Sequence, residues 1–232
     1  MTCSLVFLSG GKGTRFPSKL PKQYLMLKGS PLFSYSLQTL IDSVDFEEII
    51  IVCDPSYREQ FDSWMFDRNL SFSFAKPGDR RQDSVKSGVA ALQSSCSHVM
   101  VHDAARPFVN SKNIKNLFKV GLKVDAAALS VPVSFTVKGV DANENVTSTF
   151  NRDYLREVQT PQIVKKSWLE EGISLADKRE LTVTDDVAFA EMLGHKVQLV
   201  EGSYDNTKVT TQEDFILVKA LLDQKSQESV TV

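Results

Sequence analysis

The chain has little of what marks a secreted, membrane-bound or nucleic-acid-binding protein. Its three cysteines, Cys3, Cys53 and Cys96, are scattered and odd in number, which fits a reducing compartment better than a disulfide framework. Cys96, His98 and His102 have no second ligand pair to complete a metal site at the usual spacings. No apolar run approaches the ~18 residues of a membrane span. Leu5 to Leu8 is too short for a signal-peptide core and follows no basic region. The expected setting is therefore cytoplasmic, with no membrane partner. Charge of one sign is lacking too: 27 basic against 29 acidic residues leave a formal net charge of -2, unlike the basic surface of a general nucleic-acid binder. There is no internal repeat or low-complexity segment.

Familiar catalytic signatures are also missing. The segment GGKGT at residues 10–14 lacks the spacing of a P-loop and the third glycine of a dinucleotide-binding turn. No GxSxG elbow and no Cys–His nucleophile pair is present. Covalent catalysis through a side chain is thus poorly supported.

What the chain does have is phosphate-binding chemistry at the ends of strands. Leu5 to Leu8 reads as a first strand that runs into SGGKGTRFPSKLPK, residues 9–22. Gly10, Gly11 and Gly13 leave the backbone N–H groups open to a polyanion, and Lys12, Arg15, Lys19 and Lys22 add four cations. A solvated glycine turn is the competing reading of this stretch alone. Glu48 to Cys53 and Phe72 to Ala75 read as strands, the second ending in KPGDRRQDS (76–84). That loop leads into a helix from about Arg81 to Leu92, capped by Asp79 or Asp83, with its arginines either solvated or offered to an anion. His98 to His102 forms the next strand and delivers Asp103, which either serves a cleft at the same sheet edge or pairs with Arg106.

A helix over Ser111 to about Val124 and a strand over Ala126 to Val131 continue the rhythm. Phe135 to Val140 and Val146 to Phe150 then alternate around a five-residue polar turn, the pattern of a β-hairpin. An isolated two-stranded arm is marginally stable and needs a surface to pack on. Gln159-Thr160-Pro161-Gln162 is expected to be extended. Lys165 to Ala176 reads as a helix, and a second starts near Thr184-Asp185-Asp186. A last strand over Val197 to Val200 precedes Glu201 to Lys208, and a helix over about Gln212 to Gln224 ends the pattern. The fold class is an α/β sandwich of mostly parallel strands, one domain over residues 1–232 with residues 133–152 as an inserted β-arm.

Abundant phosphate ligands without a nucleophile suit displacement at phosphorus. Two phosphorylated reactants repel by about 4 kcal/mol per unit pair at ~4 Å and an effective dielectric of about 20, so the protein has to position both and neutralise them. The series GGKGTR…PKQYL, GDRRQDSV, VHDAARPF, NRDYLREVQTPQ, TDD and DNTKVT resembles the 2-C-methyl-D-erythritol 4-phosphate cytidylyltransferases of the non-mevalonate isoprenoid pathway, in family order from Leu5 to about Phe215. The resemblance implies a Rossmann-like nucleotidyltransferase fold, CTP and a polyol phosphate as substrates, Mg2+ as cofactor, and a homodimer whose arms embrace the opposite subunit. It implies Arg15 and Lys22 as transition-state stabilisers, with Arg152 and Lys208 positioning the attacking phosphate. Gly78, Asp79 and Ser84 match the cytosine-recognising loop. Asp103, Arg106, Thr136, Thr160, Thr184 and Asp205 match further contacts, Thr136 and Arg152 coming from the other subunit and Asp103 and Asp205 lying beside the metal. One departure stands out. The family's first loop usually opens with two alanines, where this chain has Ser9 and Gly10. That start is closer to the ribitol-5-phosphate cytidylyltransferases, which are the alternative enzyme; a catalytically inactive nucleotide-binding regulator is the alternative outside enzymes.

Overall fold

The computed structural model describes residues 1–13, 16, 18, 20–65 and 72–228. Strands β1 (Cys3–Leu8), β2 (Ile49–Val52), β3 (Phe72–Ala75) and β4 (His98–Asp103) alternate with helices α1 (Leu32–Ile41), α2 (Arg58–Met65) and α3 (Arg81–Ala90). Helix α4 (Ser111–Val124) leads to β5 (Ala126–Pro132). The short strands β6 (Lys138–Val140) and β7 (Val146–Thr149) follow, then β8 (Arg156–Lys165), α5 (Lys166–Lys178), α6 (Ala188–Met192), β9 (Gln198–Glu201) and α7 (Gln212–Glu228). Seven strands form one sheet in the order β9-β5-β8-β4-β1-β2-β3. All pairings are parallel except the two made by β8.

The sheet is buried on both faces because alternate strand residues point opposite ways. Leu5 and Phe7 of β1 pack with Phe33, Leu37 and Phe61 from α1 and α2 and with Ile114 and Leu117 from α4. Val6 packs with Val85 and Val89 from α3 and Leu169 and Ile173 from α5. A smaller cluster, Leu27, Leu32, Phe108, Val209 and Val218, sits under α7. Helix α4 shows why the boundaries fall where they do. The Asn110 side chain accepts from Lys112 N, and Asp125, in the left-handed region at φ 66°, ends the helix. No helix among the described residues is long and apolar enough to cross a membrane.

Strand order turns at β1, whose two neighbours β2 and β4 lie on opposite sides. In open α/β sheets the crevice beyond the carboxyl ends at such a point is where ligands bind. The register pairs Leu8 at the end of β1 with Asp103 at the end of β4, so the first glycine loop and Asp103 start side by side.

The segment around Gln159-Thr160-Pro161-Gln162 is more than extended. It belongs to the ten-residue β8, antiparallel in the middle of the sheet. Pairing with β5 shifts register between Val158 and Gln162, and the Thr160-Pro161 peptide is cis. The expected start of a helix at Thr184 also moves: α6 begins at Ala188, with Asp185 Oδ1 accepting from Ala188 N at 3.1 Å. The arm is a separate two-stranded sheet, β6 against β7.

Candidate active site

A cleft of about 590 Å3 opens at the turning point of the sheet. One wall is the first loop, Gly10 to Gly13, with Lys22 and Gln23. The facing wall is Lys76 to Arg81 with Ser84, and Asp103, Ala105, Lys208 and Thr210 are among the other lining residues. Arg15 lies outside the described residues.

The glycine loop is shaped from behind. Gln23 is buried, and its amide donates to Ser9 O at 2.7 Å and Gly11 O at 3.0 Å. The Tyr24 hydroxyl also donates to Ser9 O, at 2.9 Å. With these carbonyls drawn inward, Gly10, Gly11 and Gly13 face the cleft, Gly13 at φ +62°. Gly10 has no room for a side chain: a Cβ there would lie 2.2 Å from Pro77 Cβ in the facing loop. The departure from the family's alanine at this position thus has a local cause. Proline 77 fills the space an alanine methyl would need.

In the second loop Gly78 N donates to Ser84 Oγ at 3.0 Å. Asp83, not Asp79, closes the helix start by accepting from Arg80 N at 3.0 Å. The expectation of solvated arginines is half right. Arg80 pairs on the surface with Asp83, whereas Arg81 turns inward between Asp103 and Asp186.

Asp103 is paired through its side chain with Arg81 and Lys208 rather than with Arg106. Arg81 Nε donates to Oδ1 at 3.0 Å and Lys208 Nζ to Oδ2 at 2.5 Å. Burial opposes the charge of Asp103, but the Arg81 and Lys208 cations outweigh it and hold the carboxyl well below its usual range. The guanidinium of Arg106 instead donates to Asn206 O at 2.6 Å and lines a second cavity of about 300 Å3 that Lys208 also borders. Burial lowers the pKa of Arg106.

Thr160, expected as a substrate contact, uses its hydroxyl on the protein. It accepts from Asp103 N at 3.1 Å and lies 3.2 Å from His102 Nδ1. Thr184 is exposed and lines neither cavity, and Asp205 lines neither as well. Thr136 and Arg152 are exposed on the arm side of the chain, where Arg152 donates to Ser134 O at 3.1 Å. They are not among the residues of the cleft in their own chain.

Among the described residues no group of three or more His, Cys, Asp or Glu could hold a metal ion. Both oxygens of Asp103 are already engaged by cations, and Asp205 stands outside the cleft wall. These donors do not fit a metal cage built by the chain itself.

Sequence reasoning passed over Gln23 and Arg81 as site residues. Gln23 lies in the PKQ motif, but only the folded loop shows which carbonyls it takes. Arg81 was hidden by its neighbour, since two adjacent arginines in a polar loop carry no mark of which one turns inward.

Taken as a whole, the cleft joins a glycine loop, cations from both sides and a fixed carboxylate, the parts needed to hold a nucleoside triphosphate and a second anion. The family model described as IspD, 2-C-methyl-D-erythritol 4-phosphate cytidylyltransferase, matches residues 3–224. The chloroplastic enzyme of that name from Oryza sativa subsp. japonica is 41% identical over 222 residues, 96% of this chain and 75% of that protein. Its namesake from Chlamydia pneumoniae is 43% identical over 219 residues, 94% of this chain and 98% of that protein. The crystal structure of 4-diphosphocytidyl-2C-methyl-D-erythritol synthase from Anaerococcus prevotii DSM 20548 superposes with a TM-score of 0.87 at 27% identity, covering 96% of each chain.

Proposed function

The chain belongs to the 2-C-methyl-D-erythritol 4-phosphate cytidylyltransferase family, and we propose that its cleft transfers the cytidylyl group of CTP to that phosphate in isoprenoid precursor synthesis. A phosphate oxygen of the acceptor attacks the α-phosphorus of CTP. The bond from the α-phosphorus to the bridging oxygen breaks, and pyrophosphate leaves with that electron pair. The acceptor phosphate is ionised at neutral pH, so no general base is needed. This agrees with the lack of a nucleophile–base pair in the sequence.

The observation that carries the reading is the meeting of Lys22, the Gly10–Gly13 loop, the Gly78–Ser84 loop and the Asp103–Lys208 pair in one cleft. In this proposal Lys22, with Arg15, neutralises charge developing on the α-phosphate and the pyrophosphate. Removing one such preorganised group costs on the order of 10²–10³ in rate. Gly78, Asp79 and Ser84 receive the base, and Lys208 draws in the acceptor phosphate. Arg152 and Thr136 reach the cleft of a partner subunit through the arm of a homodimer. Exposed apolar groups on and beside the arm, among them Phe135, Val140, Val146 and Tyr154, support that assembly. Mg2+ is proposed as the counter-ion of the triphosphate, carried on phosphate oxygens rather than on the chain's carboxylates. All three cysteines are free and buried, in keeping with a cytoplasmic setting.

The test is pyrophosphate release with CTP and a panel of polyol phosphates. Release should require CTP and 2-C-methyl-D-erythritol 4-phosphate together. Equal or faster turnover with ribitol 5-phosphate would overturn the acceptor assignment.

A further inference from the structure

Arg81 opens α3 on the nucleotide side of the cleft, yet its guanidinium binds residues from two other parts of the chain. Its Nη1 and Nη2 donate to Asp186 Oδ1 and Oδ2 at 2.7 and 2.8 Å, and its Nε donates to Asp103 Oδ1 at 3.0 Å. The Asp186 side chain is fully buried, and its backbone N–H is fixed in turn by Gln162 Oε1 at 2.8 Å. On the far oxygen of Asp103 sits Lys208 Nζ. Two carboxylates and two cations therefore alternate in a row, Asp186–Arg81–Asp103–Lys208, running from the interior to the cleft.

This row has a mechanical consequence. An incoming phosphate competes with Asp103 for Lys208. A carboxylate held only by Lys208 would follow that ammonium or rotate. A carboxylate also tied to a guanidinium anchored bidentately on a buried acid stays in place. Backbone support is present as well, since Asp103 N donates to Thr160 Oγ1.

We propose that Arg81 is a positioning residue for the transfer: by anchoring Asp103 to buried Asp186, it lets Asp103 hold Lys208 at the orientation in which Lys208 meets the acceptor phosphate. This rests on the cytidylyl-transfer reading above and assigns a task to a residue that does not itself touch the reacting atoms. A lysine cannot replace it, because one ammonium on a flexible stem does not make the three directed hydrogen bonds that span both carboxylates.

The experiment compares steady-state kinetics and thermal midpoints of the wild type, Arg81→Lys, Arg81→Gln, Asp186→Asn and the double variant Arg81→Gln/Asp186→Asn. Arg81→Gln leaves a buried carboxylate unpaired and should melt early. It should also lose about 10²-fold in kcat, the scale of a slightly misplaced reacting group. The double variant removes the stranded charge, so its midpoint should recover. Its kcat should stay near that of Arg81→Gln and well below that of the wild type, with Asp186→Asn, which loosens the same anchor, also slowed, while the KM for CTP changes little. Arg81→Lys should also remain slow. A double variant whose kcat returns with its stability, to the level of the wild type, would show a purely structural ion pair and overturn the proposal. Full kcat in Arg81→Lys, or a loss confined to the KM for CTP, would overturn it too. Failure of the wild type to turn over any polyol phosphate would instead strike the functional reading, and is seen before any variant is made.

Discussion

His102 lies one residue before Asp103, fully buried, and its hydrogen bonds assign its proton. Arg106 O can only accept, so Nε2, 3.1 Å away, is the N–H. Thr160 Oγ1 accepts from Asp103 N and donates its own proton to Nδ1, the acceptor nitrogen. This chain of donors suits a neutral imidazole, and burial pushes the His102 pKa down to about 4. The unfolded chain binds a proton at His102 near pH 6.5 while the folded chain waits until about pH 4. Stability is therefore complete above pH 6.5 and falls as the pH drops through that window. The loss should reach about 2 kcal/mol at pH 5 relative to pH 7. Burial lowers His98 in the same direction, so the difference between wild type and His102→Asn in urea unfolding isolates this group. Parallel pH dependences in the two proteins would refute the assignment. The contribution of Asp103, whose carboxyl is held below its usual range, is lost only at still lower pH. At this scale the sequence showed which residue types were present but not which hydrogen-bonding state each one took.

The two cleft loops act as a pair of elements. Their contact at Gly10 and Pro77 leaves no space for a methyl group on residue 10. Gly10→Ala should force the loops apart, at a cost of about 1–3 kcal/mol for overpacking, and should raise the KM for CTP. Replacing Pro77 by Gly in the same chain removes the opposing ring. The double variant should then lie well above the sum of the single effects in stability and CTP affinity, because residues in contact are not additive. Strict additivity would mean that the loops do not meet as described. The pair also bears on the acceptor. Since Pro77 accounts for a bare residue 10, Gly10 is no longer a reason to favour ribitol 5-phosphate. Strand and helix positions were legible at this scale wherever apolar runs met clear stops, as in Ser111–Val124. The central antiparallel strand Arg156–Lys165 was not, because its arginine, glutamate and glutamines hide the pattern and its register breaks around Thr160-Pro161.

For the whole molecule, the proposal for Arg152 depends on a second subunit, because its own chain does not bring it to the cleft. In the proposed homodimer each site takes Lys22 from one protomer and Arg152 from its partner. Lys22→Ala and Arg152→Ala homodimers should both be nearly inactive. After mixing and exchange of subunits, a mixed dimer carries one intact site, and random pairing should restore about a quarter of wild-type activity. Recovery of nothing, with exchange verified by differently tagged protomers, would place Arg152 in its own chain's site or in none.

The glycine loop, Lys22 and Asp103 announced themselves in the linear sequence, because phosphate chemistry needs particular residue types next to strand ends and those runs are local; Lys208 was marked only by the resemblance of its DNTKVT segment to the family. The order of strands, the inward turn of Arg81, the grip of Gln23 on the loop carbonyls and the packing of Pro77 on Gly10 were decided only by tertiary structure. Each joins residues distant in the chain through directed contacts of a few ångströms, and composition and periodicity carry no record of those. The basic glycine loop by itself is half a site; the fold supplies the other half by bringing the ends of β1 and β4 together in register.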